Sequence, residues 1–381
     1  TSSIKNLSRI LSIKSFENNV VATSELTTKV TEGTTSVYVT VEVSSSLMLL
    51  PEKPMTGRLD NARVGYFTNP LLSYSDGQQR VDTKRFITRW RLEPKPEDRE
   101  RYLRGELVEP AKPIVFYIEN STPYRWRKYI KQGIEDWQMA FERAGFKNAI
   151  IAKEVTDSMT IDMDDVNYSV LTYAMGPSIL DPRSGEILEA DIMWWHNVLG
   201  MLQEWITVQT GAIRPEARGV KLSDELMGDA MRFVACHEVG HSLGLRHNMM
   251  GSWAFPTDSL RSKSFTDRMN STSSSIMDYA RFNYVAQPGD GVTVLSPHIG
   301  PYDIFAIEYG YRWYGKETPE AEKELLYDFL GRHTDRLYKY SEAQDVRDAV
   351  DPRAQNEDLG DDAVRSPDTQ TSRISASPCF S

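Results

Sequence analysis

The sequence predicts an α+β protein with a β-rich N-terminal region followed by a domain in which strands and helices alternate. Valine alternates with polar or aromatic residues over 37–43, which is the period of a half-buried strand. Beyond a charged, proline-bounded segment at 93–113, short apolar runs alternate with segments of helical periodicity. We therefore expect an accessory or pro-like domain at 1–110 and a second domain at 111–315.

Further strands are predicted from short apolar runs. They lie at 86–92, 114–118, 149–155, 170–174 and 187–194. A turn rich in Asp, Pro and Gly at 181–185 separates the last two. We expect the segment 93–113 itself to be a solvated connector.

Four helices are predicted. The first spans 124–144, with Thr122 as N-cap, Pro123 at the first helical position and an end near Gly145. Its apolar stripe consists of Trp126, Ile130, Ile134, Trp137 and Phe141. Another helix runs from a Ser223 cap to residue 243. The others lie at 302–309 and 317–340, within a helical C-terminal segment at 316–361 and before a Ser/Thr-rich tail, 362–381, that we expect to be disordered.

Composition excludes several classes of protein. The 381 residues include 44 Lys and Arg against 54 Asp and Glu, a net charge of −10, which disfavours nucleic acid and anionic membranes as main partners. With two cysteines, Cys236 and Cys379, the chain is not a disulfide scaffold. No apolar run approaches the ~18 residues of a membrane span, and no signal peptide is recognisable. Because the chain begins with Thr1, we expect its natural start to be processed or missing.

The most informative segment is 237–247, which reads HEVGHSLGLRH and matches the pattern H-E-x-x-H-x-x-G-x-x-H. On a helix each residue advances by about 100°, so His237 and His241 lie one turn apart on one face. That spacing lets two imidazoles bind one metal ion. The residues expected on the opposite face, in the core, are Cys236, Val239 and Leu243.

Three further residues complete a catalytic metal site. Gly244 fits the left-handed conformation that ends a helix, and the turn brings His247 back as a third ligand. Three protein nitrogens leave the fourth position of a zinc ion open, as a catalytic site requires. Glu238 lies beside the histidines without being aligned with them, so we expect it to act as the general base. Three of the six histidines fall in this window, which argues against a chance match.

This signature resembles the metzincin clan of zinc metallopeptidases. The clan has a methionine-containing turn beneath the metal, and here the segment SIMDY at 275–279 places a methionine 30 residues after His247. The resemblance implies that Met277 is the Met-turn methionine and that Tyr279 is an extra zinc ligand or a transition-state donor. It also implies a twisted mixed sheet, a backing helix (124–144) and a zinc-binding helix (223–243).

A closer resemblance is to the bacterial met-zincin family, whose members have an N-terminal domain of unknown function. It is carried by RVGYF at 63–67, SGEILEADI at 184–192 and GLRHN at 244–248, and it extends to about residue 313. Asn248 differs from the residues that follow the third histidine in astacins, adamalysins, matrixins and serralysins. The resemblance implies export, to the periplasm, the cell surface or the medium. Family chains are longer, so we expect this chain to be a fragment.

Other candidate residues give weaker signals. The strand at 187–194 resembles the metzincin edge strand that pairs with an extended substrate. An acidic run is a solvated loop in preference to a calcium site, because it lacks the spacing of a calcium loop. That run consists of Asp157, Asp162, Asp164 and Asp165. We expect His196, His298 and His333 to be structural. A cysteine switch is excluded, since no cysteine precedes Cys236, and nothing distinguishes Asp60 as a zinc-masking residue.

The sequence therefore predicts a zinc-dependent endopeptidase that hydrolyses internal bonds of a protein or peptide bound in extended conformation. Two alternatives remain. A zinc amidase acting on a non-protein amide, such as a cell-wall crosslink, would use the same site. A non-catalytic, zinc-stabilised binding module would not need the general base Glu238.

Overall fold

A computed structural model describes residues 3–74, 76–156, 158–172, 178–193, 198–342 and 351–367. The structure is mixed α/β with a β-rich N-terminal region. The strands are β1 (Arg9–Ser15), β2 (Asn19–Glu32), β3 (Thr35–Met48), β4 (Thr68–Ser73), β5 (Asp82–Ile87), β6 (Arg89–Trp90), β7 (Ile114–Ile118), β8 (Ile150–Glu154), β9 (Ser169–Thr172), β10 (Ser178–Asp181), β11 (Glu186–Ala190) and β12 (Ile192–Met193). The helices are α1 (Arg99–Leu103), α2 (Tyr124–Glu135), α3 (Gln138–Arg143), α4 (Val198–Thr210), α5 (Asp224–Ser242), α6 (Lys263–Met269), α7 (Pro301–Tyr311) and α8 (Pro319–Arg332). None of them combines the length and apolarity that a membrane span requires.

The N-terminal strands form an antiparallel sheet of order β1-β2-β3. The strand predicted at 37–43 is present within β3, which pairs with β2 along its whole length. Its predicted half-burial is wrong, because every residue from 37 to 43 is exposed. Among the described elements β3 packs extensively only against β2, so the valine alternation here reflects strand propensity and not a buried face.

The strands of the region for which one mixed sheet was predicted form two separate sheets. β12, β9, β7 and β8 form a parallel sheet in that order, and β10, β11 and β6 form a second, mixed sheet. The strand predicted at 187–194 is divided between them at Asp191, and its last residue lies outside the described residues. The Val170 N–H donates to Asp191 Oδ1 at 2.8 Å, and the Ala190 N–H donates to Ser169 Oγ at 3.2 Å. Side chains thus replace backbone pairing between β9 and β11.

The predicted backing helix is present as two helices, α2 and α3, interrupted at 136–137. The helix begins after Pro123, so Thr122 is not its N-cap. At the interruption, Asp136 accepts two hydrogen bonds from Arg232 of α5, at 2.6 and 2.7 Å. The predicted apolar stripe is buried throughout: Trp126, Ile130, Ile134, Trp137 and Phe141. The backing helices therefore pack against the helix that carries the metal motif.

The segment 93–113 is not the solvated connector that the sequence predicted. It contains α1, and Tyr102 and Val108 are buried in the main core. The Tyr102 hydroxyl donates to the Ala144 carbonyl and accepts from the Trp313 N–H at 2.9 Å. The sequence did not predict the burial of Tyr102 and Val108, because most of their neighbours in the chain are charged. The main core also includes Tyr66, from well before residue 110, so the division at 110 remains a proposal.

The C-terminal part differs from prediction in two ways. The helix predicted at 317–340 ends at Arg332, and a short 3-10 turn follows at Arg336–Tyr338. The inner face of helix α8 buries Leu326, Phe329 and Leu330. Ser366 is buried and donates to the Leu359 carbonyl, so the predicted disorder of 362–381 is wrong for 362–367. The rest of that tail lies outside the described residues.

Candidate active site

Helix α5 positions the first two histidines of the motif. Its N-terminus is capped as predicted, because Ser223 Oγ accepts from the Leu226 N–H at 3.2 Å. Acidic residues in the first turn oppose the positive end of the helix dipole. The three side chains predicted to face the core are buried: Cys236, Val239 and Leu243. The opposite face of the last two turns carries His237 and His241 toward a cleft.

The three histidines converge on one point. His247 Nε2 lies 3.2 Å from His237 Nε2 and 2.9 Å from His241 Nε2. His237 Nδ1 lies 2.7 Å from the Ile276 carbonyl oxygen, and His241 Nδ1 lies 2.8 Å from that of Leu245. Each Nδ1 therefore carries the proton, and Nε2 keeps the lone pair that a metal ion needs. No other group of three such ligands occurs among the described residues.

The turn that returns His247 to the site depends on Gly244. Its φ is +95°, and a Cβ built there would lie 2.0 Å from the Thr88 carbonyl oxygen. The Gly244 carbonyl accepts from the Phe67 N–H at 2.8 Å, and the Arg246 N–H donates to the Gly65 carbonyl at 2.9 Å. The N-terminal RVGYF segment is thus hydrogen-bonded to the turn that precedes His247, which places two of the sequence motifs side by side.

Two aromatic side chains satisfy carbonyls that the end of α5 leaves unpaired. Trp90 Nε1 donates to the Ser242 carbonyl at 2.9 Å. The Tyr311 hydroxyl donates to the Leu243 carbonyl at 2.8 Å. Helix ends have no intrahelical partners for these groups, so the bonds fix the point where the helix stops and the turn begins.

Met277 packs directly against helix α5, which carries the first two histidines of the motif. It is fully buried, and a Cβ built at Gly240 would lie 2.2 Å from Met277 Sδ, so glycine is needed for this approach. The Met277 carbonyl accepts from the Asn248 N–H at 3.0 Å. Asn248 is also buried and donates from Nδ2 to the Lys339 carbonyl at 2.9 Å. Asn248, the residue after the third histidine, is therefore hydrogen-bonded both to the turn that contains Met277 and to the C-terminal segment.

The buried Asp303 supports the same turn, although no local pattern in the sequence predicts this role. Its carboxylate accepts from Ser275 Oγ, from the Ile276 N–H and from the Gly300 N–H, each at 2.7 Å. Burial raises the pKa of Asp303 to about 7. Since the Ile276 carbonyl orients His237, Asp303 is linked to the first histidine of the motif through one residue.

Tyr279 lies between a histidine and a guanidinium group. Its ring centroid is 4.5 Å from that of His247, and the Arg281 guanidinium carbon lies 4.4 Å from the tyrosine ring centroid. Arg281 also packs on Trp205 at 4.1 Å and donates two hydrogen bonds to Glu357. Sequence reasoning missed both Arg281 and Trp205. The first lies two residues from Tyr279, and the second lies on α4, which has no strong apolar period.

Glu238 lies in the same cleft as the histidines. Burial alone raises the pKa of its carboxyl group to about 7. A carboxylate in a poorly solvated position accepts a proton more readily than one in water, which is the property that a general base needs.

The cleft has a volume of about 850 Å³ and a largely apolar lining. Phe67, Ile187 and Ile192 contribute from the strand side, while Val198 and Trp205 contribute from α4. The strand predicted as an edge strand, at 187–194, is not one over β11, which lies between β10 and β6. In the described part of this sheet the two edge strands are β10 and β6, and Ser178 and Leu180 of β10 line the cleft.

The weaker candidates lie elsewhere. Asp162 and Asp164 form ion pairs with Lys14, each at 2.8 Å. His298 lies 4.0 Å from Asp229, and His333 Nδ1 lies 2.8 Å from the Phe329 carbonyl oxygen. Asp60 does not line the cleft. Asp157 and His196 lie outside the described residues.

Two family models match the chain. One, described as Met-zincin, matches residues 219–375, which include the three histidines, Met277 and Tyr279. The other, described as Domain of unknown function (DUF5117), matches residues 1–95. No significant match was found among curated proteins or among solved structures. Residues 219–375 are thus similar to the Met-zincin family, and residues 1–95 are similar to a domain of unknown function, which is the combination that the sequence motifs predicted.

Proposed function

We propose that the protein is a zinc-dependent endopeptidase that hydrolyses internal peptide bonds. The observation that carries the proposal is the convergence of three histidine Nε2 atoms in a cleft that also contains a half-buried glutamate. We further propose that 111–315 is a metzincin-like domain, with α2 and α3 as the backing helices and α5 as the zinc helix. The burial of Met277 under α5 supports this fold assignment.

The donor set suits zinc. Three imidazole nitrogens that lie within 4.8 Å of one another match the ligands of catalytic zinc sites, which keep a further position for water or substrate. Bound zinc supplies a Lewis acid that polarises a carbonyl group and lowers the pKa of water. The residues that would hold it are His237, His241 and His247. Two of them are oriented by backbone carbonyls, which limits the reorganisation needed on binding.

Two further side chains would carry out the proton chemistry. Glu238 would take a proton from the attacking water and deliver it to the departing amine. The hydroxyl group of Tyr279 would donate a hydrogen bond to the oxygen of the tetrahedral intermediate, since the tyrosine ring lies beside His247 and lines the cleft. The Arg281 guanidinium group packed on that ring restricts its position.

An extended peptide is the substrate that the cleft suits best. β10 is a strand with one side unpaired in the described sheet, and its Ser178 and Leu180 face the cleft. Backbone pairing along such an edge binds a peptide largely regardless of its sequence. The apolar lining favours large apolar side chains next to the scissile bond. By family resemblance we also propose that the protein is exported.

A zinc amidase would use the same residues, so the substrate must decide between the two activities. The zinc-loaded protein is incubated with casein and, separately, with purified peptidoglycan. New internal termini in casein with no release of cell-wall fragments support an endopeptidase. Release from peptidoglycan with intact casein contradicts it. A zinc-stabilised binding module would act on neither.

A further inference from the structure

A second cavity, of about 450 Å³, lies on the other side of the strand segment that borders the cleft. Thr88 lines the cleft, whereas the next residue, Arg89, lines this cavity. Successive side chains of an extended segment point to opposite faces, which explains the alternation. Seven basic and three acidic side chains line the second cavity, in a chain whose net charge is −10.

Arg89 is buried, and no carboxylate forms an ion pair with it within the part of the chain that the structure describes. Its side chain is 6% exposed, and one terminal nitrogen donates to the Thr56 carbonyl at 2.9 Å. Its Nε is also buried and has no hydrogen-bond partner in the structure. Burial lowers the pKa of Arg89 to about 10, so the guanidinium group still carries its charge at neutral pH. A buried charge of this kind is costly unless an anion compensates it.

The nearby carboxylates do not supply that anion. Both carboxylate oxygens of Glu322 accept hydrogen bonds from Arg58, at 2.9 and 3.0 Å. Glu93 and Glu317 line the cavity, but neither forms an ion pair with Arg89 among the described residues. Arg89 therefore forms no ion pair among the described residues, although the charge of the nearby Glu322 favours its charged form.

Further cations lie around the opening of the cavity. Lys53, Arg99 and Lys316 line it and are exposed, and none of them forms an ion pair within the described part of the chain. Arg99 packs on Trp313, whose ring also lines the cavity, at 5.5 Å. Exposed cations leading to a buried one form an electrostatic path along which an anion is drawn inward.

We propose that this cavity binds a small organic anion whose carboxylate or phosphate group contacts Arg89. A planar guanidinium group binds oxyanions of both kinds through paired hydrogen bonds. The volume lies within the ~300–1,000 Å³ range of small-molecule sites, so it accommodates more than an inorganic ion. Trp313 and Tyr311 provide an aromatic wall for the organic part. This binding does not depend on proteolytic activity.

Thermal unfolding of the zinc-loaded full chain tests the proposal. The melting temperature is followed against inorganic phosphate, phenyl phosphate and acetate, with chloride adjusted to keep the ionic strength constant. A ligand that binds the folded state raises the melting temperature in a saturable manner. We expect such a rise with at least one of the three anions, with phenyl phosphate the strongest because it also contacts the aromatic wall.

The variant Arg89→Met removes the buried charge at similar volume. It should melt at the same or a higher temperature than wild type in chloride, and it should lose the response to the anions. Lys316→Met, at an exposed position, should fold normally and weaken the anion affinity several-fold. Lys221→Met is the matched control, since this exposed lysine does not line the cavity.

Two results would overturn the proposal. One is that no anion raises the melting temperature of wild type in a saturable manner, from 50-fold molar excess up to the concentrations at which sites of about millimolar affinity fill. The other is an undiminished response in Arg89→Met and Lys316→Met, which would place the anion elsewhere, for example at the histidine site.

Discussion

Replacement of Gly244 by alanine should damage the metal site more than it damages the fold. Gly244 has a φ of +95°, and an added Cβ would lie 2.0 Å from the Thr88 carbonyl oxygen, a backbone atom that cannot rotate away. The turn between His241 and His247 must then move by more than 1 Å, or Thr88 must move with its neighbours. Both movements displace the third ligand relative to the other two.

Gly289 provides a matched control. Its φ is also +95°, but a Cβ built there meets no atom within 4 Å. Gly289→Ala therefore includes the conformational cost of a positive φ, about 1–2 kcal/mol, without a steric clash. Gly244→Ala includes the same cost and the clash with Thr88. The difference between the variants isolates the close approach.

The two variants are compared by urea unfolding and by zinc competition with a chromophoric chelator. We expect Gly289→Ala to lose about 1–2 kcal/mol of stability and to bind zinc as wild type does. Gly244→Ala should lose more stability and should bind zinc at least about tenfold more weakly, which corresponds to 1.4 kcal/mol. Equal zinc affinity in the two variants would show that the turn does not position His247.

Three further predictions concern separate groups. His247→Ala should lose zinc during dialysis against a weak chelator and should lose activity, whereas a surface histidine would leave zinc stoichiometry unchanged. Met277→Leu conserves volume and should cost less than ~1.5 kcal/mol with activity largely retained, while Tyr279→Phe should lower kcat on the order of 10²-fold with little change in KM; the reverse pattern would make Tyr279 a packing residue. Burial, and then the neighbouring Asp191 carboxylate, raises the pKa of Glu189 from 4.5 to about 9. The folded state therefore binds a proton that the unfolded state releases, and wild-type stability falls as pH rises between these values, by at most about 1.4 kcal/mol per pH unit. Other buried carboxyl groups with raised pKa values, such as Glu238 and Asp303, contribute to the same slope. Glu189→Gln should therefore reduce the slope in urea unfolding at pH 5 to 8 by up to about 1.4 kcal/mol per pH unit, and an unchanged slope would contradict the assignment.

The local elements that strong periodicity marks were predictable from sequence. The Ser223 cap, the strand at Ile114–Ile118 and the spacing of His237 and His241 are each set by neighbours in the chain. Their physical causes are local, because one hydrogen bond, one alternation of side chains and one helical turn suffice. The turn at Gly244 was also predictable from the sequence, since glycine is the residue that a positive φ favours at the end of a helix.

The supports of the site could not be predicted, because they come from distant parts of the chain. Asp303 contacts the methionine turn from α7, and the Phe67 N–H contacts the third-ligand turn from near the N-terminal region. No local pattern distinguishes Asp303 from the other acidic residues. The exposed valines of β3 show the converse limit, because alternation reports strand propensity whether or not another layer covers the strand.

The most direct test of the proposed endopeptidase compares wild type with Glu238→Ala on casein, after both have been loaded with zinc. Zinc content is measured first, and new N-termini are then labelled and identified by mass spectrometry. Because Glu238 is not a ligand, both proteins should hold one zinc per chain, and the variant should cleave about 10²- to 10⁴-fold more slowly at internal bonds. Near-normal cleavage by the zinc-loaded variant, or no internal cleavage by the zinc-loaded wild type, would contradict the proposed function.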